Sequence, residues 1–220
     1  ETYIIHKGKD MEKNKPISVA FEDIRNNPDF VEHSEYRFIN DDLGMVISFF
    51  AMGSRLFRTG QPYRAKEGRI IRIMQGSGRI SINLIEYEAT AHDIIIIPDN
   101  SLIEILEISP DYEFQVLMPT AHFLPVIQNS ILTEAYTRNG ILFSCNNTEW
   151  TRVSHFFSLL WDILHCSPYR RETVQHLIVS LLYNLKYIHE HTCKSTPAPR
   201  QTRTTRRCTC PCWSTAGRTG

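Results

Sequence analysis

The chain has 220 residues, 42% of them hydrophobic, with 24 Lys+Arg against 24 Asp+Glu, an ordinary composition for one large or two small globular domains. The formal charge of zero excludes a global field that would draw the chain to nucleic acid or to a membrane surface. No run approaches the roughly 18 apolar residues that a membrane helix needs, so no membrane partner is expected.

The opening Glu1-Thr2-Tyr3-Ile4-Ile5-His6-Lys7 lacks the apolar centre of a signal peptide, and the segment to about Lys15 reads as a flexible arm. Pro16–Asn26 follows, where Val19, Phe21 and Ile24 suit a short helix. Residues 1–35 are thus expected to form an arm and a short helix.

Residues 36–148 carry short apolar runs punctuated by Gly, Pro, Asn or Asp, the pattern of a sandwich or small barrel. Leu43–Phe50 reads as a strand, and the polar Arg58-Thr59-Gly60-Gln61-Pro62-Tyr63 as a loop at a barrel mouth. Arg69–Met74 and Arg79–Tyr87 read as strands joined by a tight hairpin at Gln75-Gly76-Ser77-Gly78. In Ala91-His92-Asp93-Ile94-Ile95-Ile96-Ile97-Pro98 a turn leads into four β-branched residues, poor for a helix and good for a doubly buried strand. Proline ends that strand because it has no amide hydrogen to give a ladder. Leu102–Ile108 and Tyr112–Met118 flank the turn Ser109-Pro110-Asp111. The alternation of Ile103, Ile105 and Glu107 against Leu102, Glu104 and Leu106 gives one apolar strand face rimmed by charge.

From Glu149 the period changes. Val153, Phe156, Phe157, Leu160 and Leu164 recur at helical spacing, with Asn147-Thr148 as a capping start and Ser167-Pro168 as the stop. A second helix, about Tyr169 to His191, carries two stripes. Val174, Leu177, Ile178, Leu181, Leu182, Leu185 and Ile188 form a core face. Thr173, His176, Ser180, Tyr183 and Tyr187 alternate steps of three and four, as in a coiled-coil seam, and read as a homodimer interface in which Ser180 permits close approach and the tyrosines supply area with polar tips, the other reading being a solvated face on which tyrosines recur. Residues 149–191 are therefore a two-helix dimerisation segment.

Residues 192–220 differ in composition. Cys193–Gly220 has no acidic residue and is dominated by Thr, Arg, Pro and Cys, too little apolar surface to offset its ordering entropy. Cys208, Cys210 and Cys212 lack the two-residue gap usual in zinc sites, and the arginines suit weak phosphate binding. The abrupt shift points to a disordered or out-of-frame ending. Cys145 and Cys166 sit singly in apolar context and read as buried free thiols, which suit a reduced compartment, the cytoplasm.

The order of strands and helices, with Gln61-Pro62-Tyr63 entering a strand, Arg72-Ile73-Met74-Gln75-Gly76-Ser77-Gly78, Ala91–Pro98 and two helices after Glu149, resembles the N-terminal sensing and dimerisation half of AraC-family transcription regulators. The resemblance spans about Met45 to His191, with Ala91 in place of the usual turn glycine. It implies an α+β fold: a cupin-like antiparallel β-barrel (double-stranded β-helix) followed by two α-helices. It also implies an unknown small-molecule effector in the barrel, at inward positions Gln61, Arg72, Ile105, Phe114 and Val116, with Tyr63 beside them.

Enzymatic cupins need several inward histidines and a carboxylate to hold a metal, whereas here the barrel offers His92 at a turn and Tyr63-Arg64-Ala65-Lys66-Glu67 where paired histidines would stand. Glu86, Glu88, Glu104 and Glu107 are expected to face solvent or pair with Arg69, Arg72 and Arg79. No metal, no cofactor and no catalysis are expected. The family reads DNA through two helix-turn-helix units after the second helix, which residues 192–220 could not form, so the chain reads as truncated before its DNA-binding domain. Two alternatives stay open: a small cupin enzyme with an unrecognised metal, and a non-catalytic interaction module with a filled barrel.

Overall fold

The computed structural model describes residues 15–26, 34–47, 58–124, 131–138 and 140–192. The segment before Lys15, the end of the expected Leu43–Phe50 strand and the tail from Cys193 lie outside them. The strands are β1 Ile17–Val19, β2 Arg37–Ile39, β3 Leu43–Val46, β4 Pro62–Ala65, β5 Arg69–Gln75, β6 Ser77–Ile82, β7 Ile85–Thr90, β8 Asp93–Ile97, β9 Ser101–Ile108, β10 Glu113–Pro119 and β11 Ile141–Ser144. The helices are α1 Phe21–Asn26, α2 Ile131–Arg138, α3 Asn147–Leu164 and α4 Arg171–Thr192.

The strands form a five-stranded sheet, β1-β4-β9-β6-β7, and a six-stranded sheet, β11-β8-β5-β10-β3-β2. From β4 to β10 the chain crosses between the two, β5, β8 and β10 joining the larger sheet and β4, β6, β7 and β9 the smaller. This winding is the cupin-like α+β fold, with two facing sheets rather than a closed ring. Pairing is antiparallel except between β1 and β4, where Ile17, Ser18 and Val19 run parallel to Tyr63, Arg64 and Ala65. β1 occupies part of the segment expected to be helical, and the helix is confined to Phe21–Asn26.

The six-stranded sheet is covered on both faces. Ile94 and Ile96 pack with Ile70, Leu117 and the helices, while Ile95 and Ile97 pack with Ile73, Ile80 and Ile103 between the sheets. All five residues of β8 are buried, so the four isoleucines show none of the alternation of a half-wet strand. Val153, Phe157, Leu160 and Leu164 of α3 and Val174, Ile178, Leu181, Leu182, Leu185 and Ile188 of α4 fill the outer layer; Leu177 is half-buried at its edge. Among the described residues no helix is long and apolar enough to cross a membrane.

Four local expectations are corrected. Gln75–Gly78 is not a hairpin: β5 pairs with β8 and β10, β6 with β7 and β9, and Gly76 is the corner where the chain changes sheets. At φ +77 a Cβ there would lie 2.8 Å from the Cα of Tyr112, so the corner needs glycine. Arg79–Tyr87 is two strands turned at Asn83-Leu84, both with positive φ (49° and 68°), the geometry of a two-residue type I′ hairpin. The cap of α3 is Asn146: its Oδ1 accepts from the Glu149 amide at 3.0 Å and a Glu149 carboxylate oxygen accepts from the Asn146 amide at 2.9 Å, a reciprocal capping box. Cys166 is exposed, and Cys145 alone of the two cysteines among the described residues is buried.

Leu84 is 82% exposed in a left-handed conformation, so its side chain is strained without contributing burial. Leu84→Gly is expected to raise the unfolding free energy by about 0.5–1 kcal/mol in urea denaturation; an unchanged or lower midpoint would contradict the turn assignment.

Candidate ligand cavity

Between the sheets the inward strand faces leave a cavity of about 70 Å³. Its wall is branched aliphatic and aromatic: Ile71 of β5, Ile80 of β6, Ile103 and Ile105 of β9, Phe114 and Val116 of β10, with Ile24 of α1 and Tyr112. The period-two alternation of each strand sends these side chains inward. The lining arginine is Arg69, the first residue of β5, which shares the inner face with Ile71 and Ile73.

Arg69 is 5% exposed. Burial lowers its pKa to about 10, opposed by the negative charge of Glu67, so it is a cation at neutral pH. Its Nε and Nη2 are buried without a hydrogen-bond partner among the described residues. Tyr112 is also buried, its phenol pushed well above the usual range by desolvation and then by the charge of Asp93. Beside the cavity, a cleft of about 520 Å³ runs past Lys66, Glu67, Asp99 and His122, and Arg69 lines it too.

Of the expected pocket residues, Ile105, Phe114 and Val116 line the cavity. Tyr63 packs with Ile24, Val46, Val116 and Met118 at its edge, its hydroxyl accepting from the Arg58 amide at 2.8 Å. Gln61 stands just before β4 and donates through Nε2 to the Lys15 carbonyl at 3.2 Å and the Pro62 carbonyl at 3.0 Å.

Arg72 faces the other way. Its Nε donates to Gln115 Oε1 at 2.8 Å and its Nη1 to Ser154 Oγ of α3 at 2.7 Å. Its guanidinium lies 4.6 Å from the Phe157 ring centre and 5.3 Å from that of Trp150, a cation over aromatic faces, and burial lowers its pKa to about 10. Residues three apart on a strand point to opposite faces, so Arg69 and Arg72 cannot both enter the cavity. With both faces of β5 apolar, no alternation in Arg69–Gln75 marks which arginine goes inward. The usable signal was the pair itself.

At the turn before β8 the left-handed residue is His92 (φ 74°), not Ala91, which is why alanine is tolerated at the expected glycine position. The His92 ring stacks on Trp150 at 4.7 Å. Buried Asp93 accepts from the Thr90 amide at 2.7 Å, the Thr90 hydroxyl at 3.2 Å and the Ser144 hydroxyl at 2.6 Å. Arg79 pairs at 3.6 Å with both Glu86 and Glu107. Among the described residues no group of His, Cys, Asp and Glu is arranged to hold a metal ion.

On α4, Thr173, His176, Ser180, Tyr183 and Tyr187 all face solvent in the single chain, with Tyr183 56% and Tyr187 55% exposed. Ser180 Oγ donates to the His176 carbonyl at 2.9 Å, and Tyr187 stacks on His191 at 4.0 Å.

No family model and no curated protein matches this sequence. Among solved structures, apo ToxT K231A from Vibrio cholerae shares 11% identity at a TM-score of 0.43, over 69% of this chain and 58% of that one. Unsaturated fatty acid-bound ToxT shares 14% at 0.39, over 71% and 57%. A cupin protein from Bacteroides fragilis shares 16% at 0.30, over 40% and 75%. This chain thus spans a little over half the length of the ToxT chains it matches.

The Arg72–Ser154 contact joins the cavity wall to α3. Ser154→Ala is expected to lower the unfolding free energy by about 1–3 kcal/mol, because it orphans a charged donor. In the Arg72→Met background the same substitution should cost little, giving a double-mutant coupling of at least about 1 kcal/mol; additive losses would show that the contact is idle.

Proposed function

We propose that this chain is the effector-sensing and dimerising module of an AraC-type transcription regulator and is not an enzyme. The observation that carries this reading is the shared wall. β5 presents Arg69 and Ile71 to the cavity and Arg72, on its opposite face, to Ser154 of α3. A molecule that fills the cavity presses on strands whose outer faces bear the helix pair, and an interface built on that pair would respond. A ligand shifts such an equilibrium only by its differential affinity for the two arrangements, and a cavity that must be filled supplies one. The lining, aliphatic apart from an arginine and aromatic side chains, suits holding a small molecule rather than transforming it.

The helix pair is the proposed homodimer contact. Tyr183 and Tyr187 leave about half their surfaces exposed on the face opposite the core, and aromatic side chains with polar tips are enriched at interfaces. DNA recognition belongs, by the resemblance, to helix-turn-helix units outside the cavity and the helix pair. The unpaired thiol of buried Cys145 suits a cytoplasmic setting.

Light scattering on the 220-residue chain tests the interface. Tyr183→Glu and Ser180→Arg are expected to halve the solution mass while leaving the fold intact, since each puts a charge into a desolvated seam. Leu181→Asp, on the core face and fully buried, is expected to abolish folding. Unchanged mass in both seam variants would remove the dimer interface from the reading, and stoichiometric Fe, Mn or Zn in the purified protein would favour a cupin enzyme.

A further inference from the structure

We propose that the cleft beside the cavity binds a free α-amino acid with an apolar side chain, its carboxylate received by Lys66, its ammonium by Asp99 and its body by Pro119, Leu124 and Leu132. The site is a second one, formed where the loops that join the two sheets meet the start of α2, and it does not rest on the effector cavity.

At about 520 Å³ the cleft falls within the range of about 300–1,000 Å³ usual for small-molecule sites. The β4–β5 and β8–β9 loops bring Lys66, Glu67 and Asp99 to it, and the Asn100 amide donates to the Lys66 carbonyl at 3.4 Å, so the two loops lie together. Pro119 at the end of β10, Leu124 and Leu132 of α2 add apolar surface.

Much of the polar lining is already engaged. Arg25 and Asp41 pair at 3.0 Å. Asn40 Oδ1 accepts from the Asp42 and Leu43 amides at 2.9 Å and 3.0 Å, and the Thr120 hydroxyl donates to the Asp42 carbonyl at 2.9 Å. The charge of Glu67 supports buried Arg69. Lys66 and Asp99 differ. Their loops touch, yet their charged groups pair neither with each other nor with any other side chain among the described residues.

Two opposite charges held close but apart select the ligand. A group with one charge would meet one of them favourably and set a like charge against the other, whereas a zwitterion answers both. An α-amino acid carries its two charges on neighbouring atoms, as adjacent loops require. The apolar surface then decides the side chain, since a small or polar one would leave Leu124 and Leu132 wet. Because the bonded residues fix the frame before a ligand arrives, binding orders little besides the Lys66 side chain.

Calorimetric titration of the 220-residue chain with L-leucine tests the site, with N-acetyl-L-leucine, which lacks the ammonium, and L-leucinamide, which lacks the carboxylate, as matched probes. The wild type is expected to bind leucine at least about tenfold more tightly than N-acetylleucine, and more tightly than leucinamide or glycine. Asp99→Asn should abolish the preference over N-acetylleucine. Lys66→Met should weaken leucine about threefold and leave leucinamide unchanged. Neither side chain is buried, so both variants keep the core intact. No binding of leucine, binding no tighter than that of the derivatives or glycine, or an affinity that either substitution leaves unchanged would overturn the site. None of these results bears on the cavity between the sheets, whose wall contains neither Lys66 nor Asp99.

Discussion

Burial of the six-stranded sheet on both faces governs this structure. A sheet with one wet face needs only to turn its apolar side inward, but here one face closes on the cavity and the other on α3 and α4, so β5, β8 and β10 carry apolar side chains on both faces. Their buried polar residues each have a definite place: Asp93 ties the turn to β11, Arg72 ties the wall to α3, and Arg69 lines the cavity.

On the proposed reading, that arrangement makes the wall a mechanical intermediary. Close-packed interiors transmit displacement because they have little free volume in which to absorb it. A change on the cavity side of β5 or β10 reaches Arg72, Gln115 and Ser154 within one strand thickness. Further out, Arg171 at the start of α4 grips Asp42 through Nε at 3.0 Å and Nη2 at 2.9 Å, and Tyr169 donates to the same carboxylate at 3.2 Å. The second helix is thereby pinned to the β2–β3 turn. Both helices hang on the sheet by charged contacts as well as by packing.

The strong periodic signals were legible in the sequence: the isoleucine strand, the two helices and the division of α4 into a core stripe and an exposed stripe. What escaped reading has physical causes. Asn83-Leu84 hides a type I′ turn because leucine stands where glycine normally marks one. Gly76 looks like a hairpin glycine, since a corner between sheets and a tight turn both need positive φ. β11 and α2 are too short for a period to emerge. At the site, Ile105, Phe114 and Val116 follow from alternation, but the choice between Arg69 and Arg72 depends on which face of a doubly apolar strand looks inward, and that is fixed by tertiary packing alone.

The central claim is that an apolar space able to accept a guest lies on one face of this sheet while the helices occupy the other. Methyl NMR of isoleucine-labelled protein under xenon pressure tests it directly, because xenon enters dry apolar cavities without needing a polar partner. The account predicts saturable shifts for the methyls of Ile71, Ile95, Ile103 and Ile105, which line the cavity, and much smaller ones for Ile94 and Ile96, which face the helices. Motionless cavity methyls, or equal shifts on both faces of β8, would contradict it.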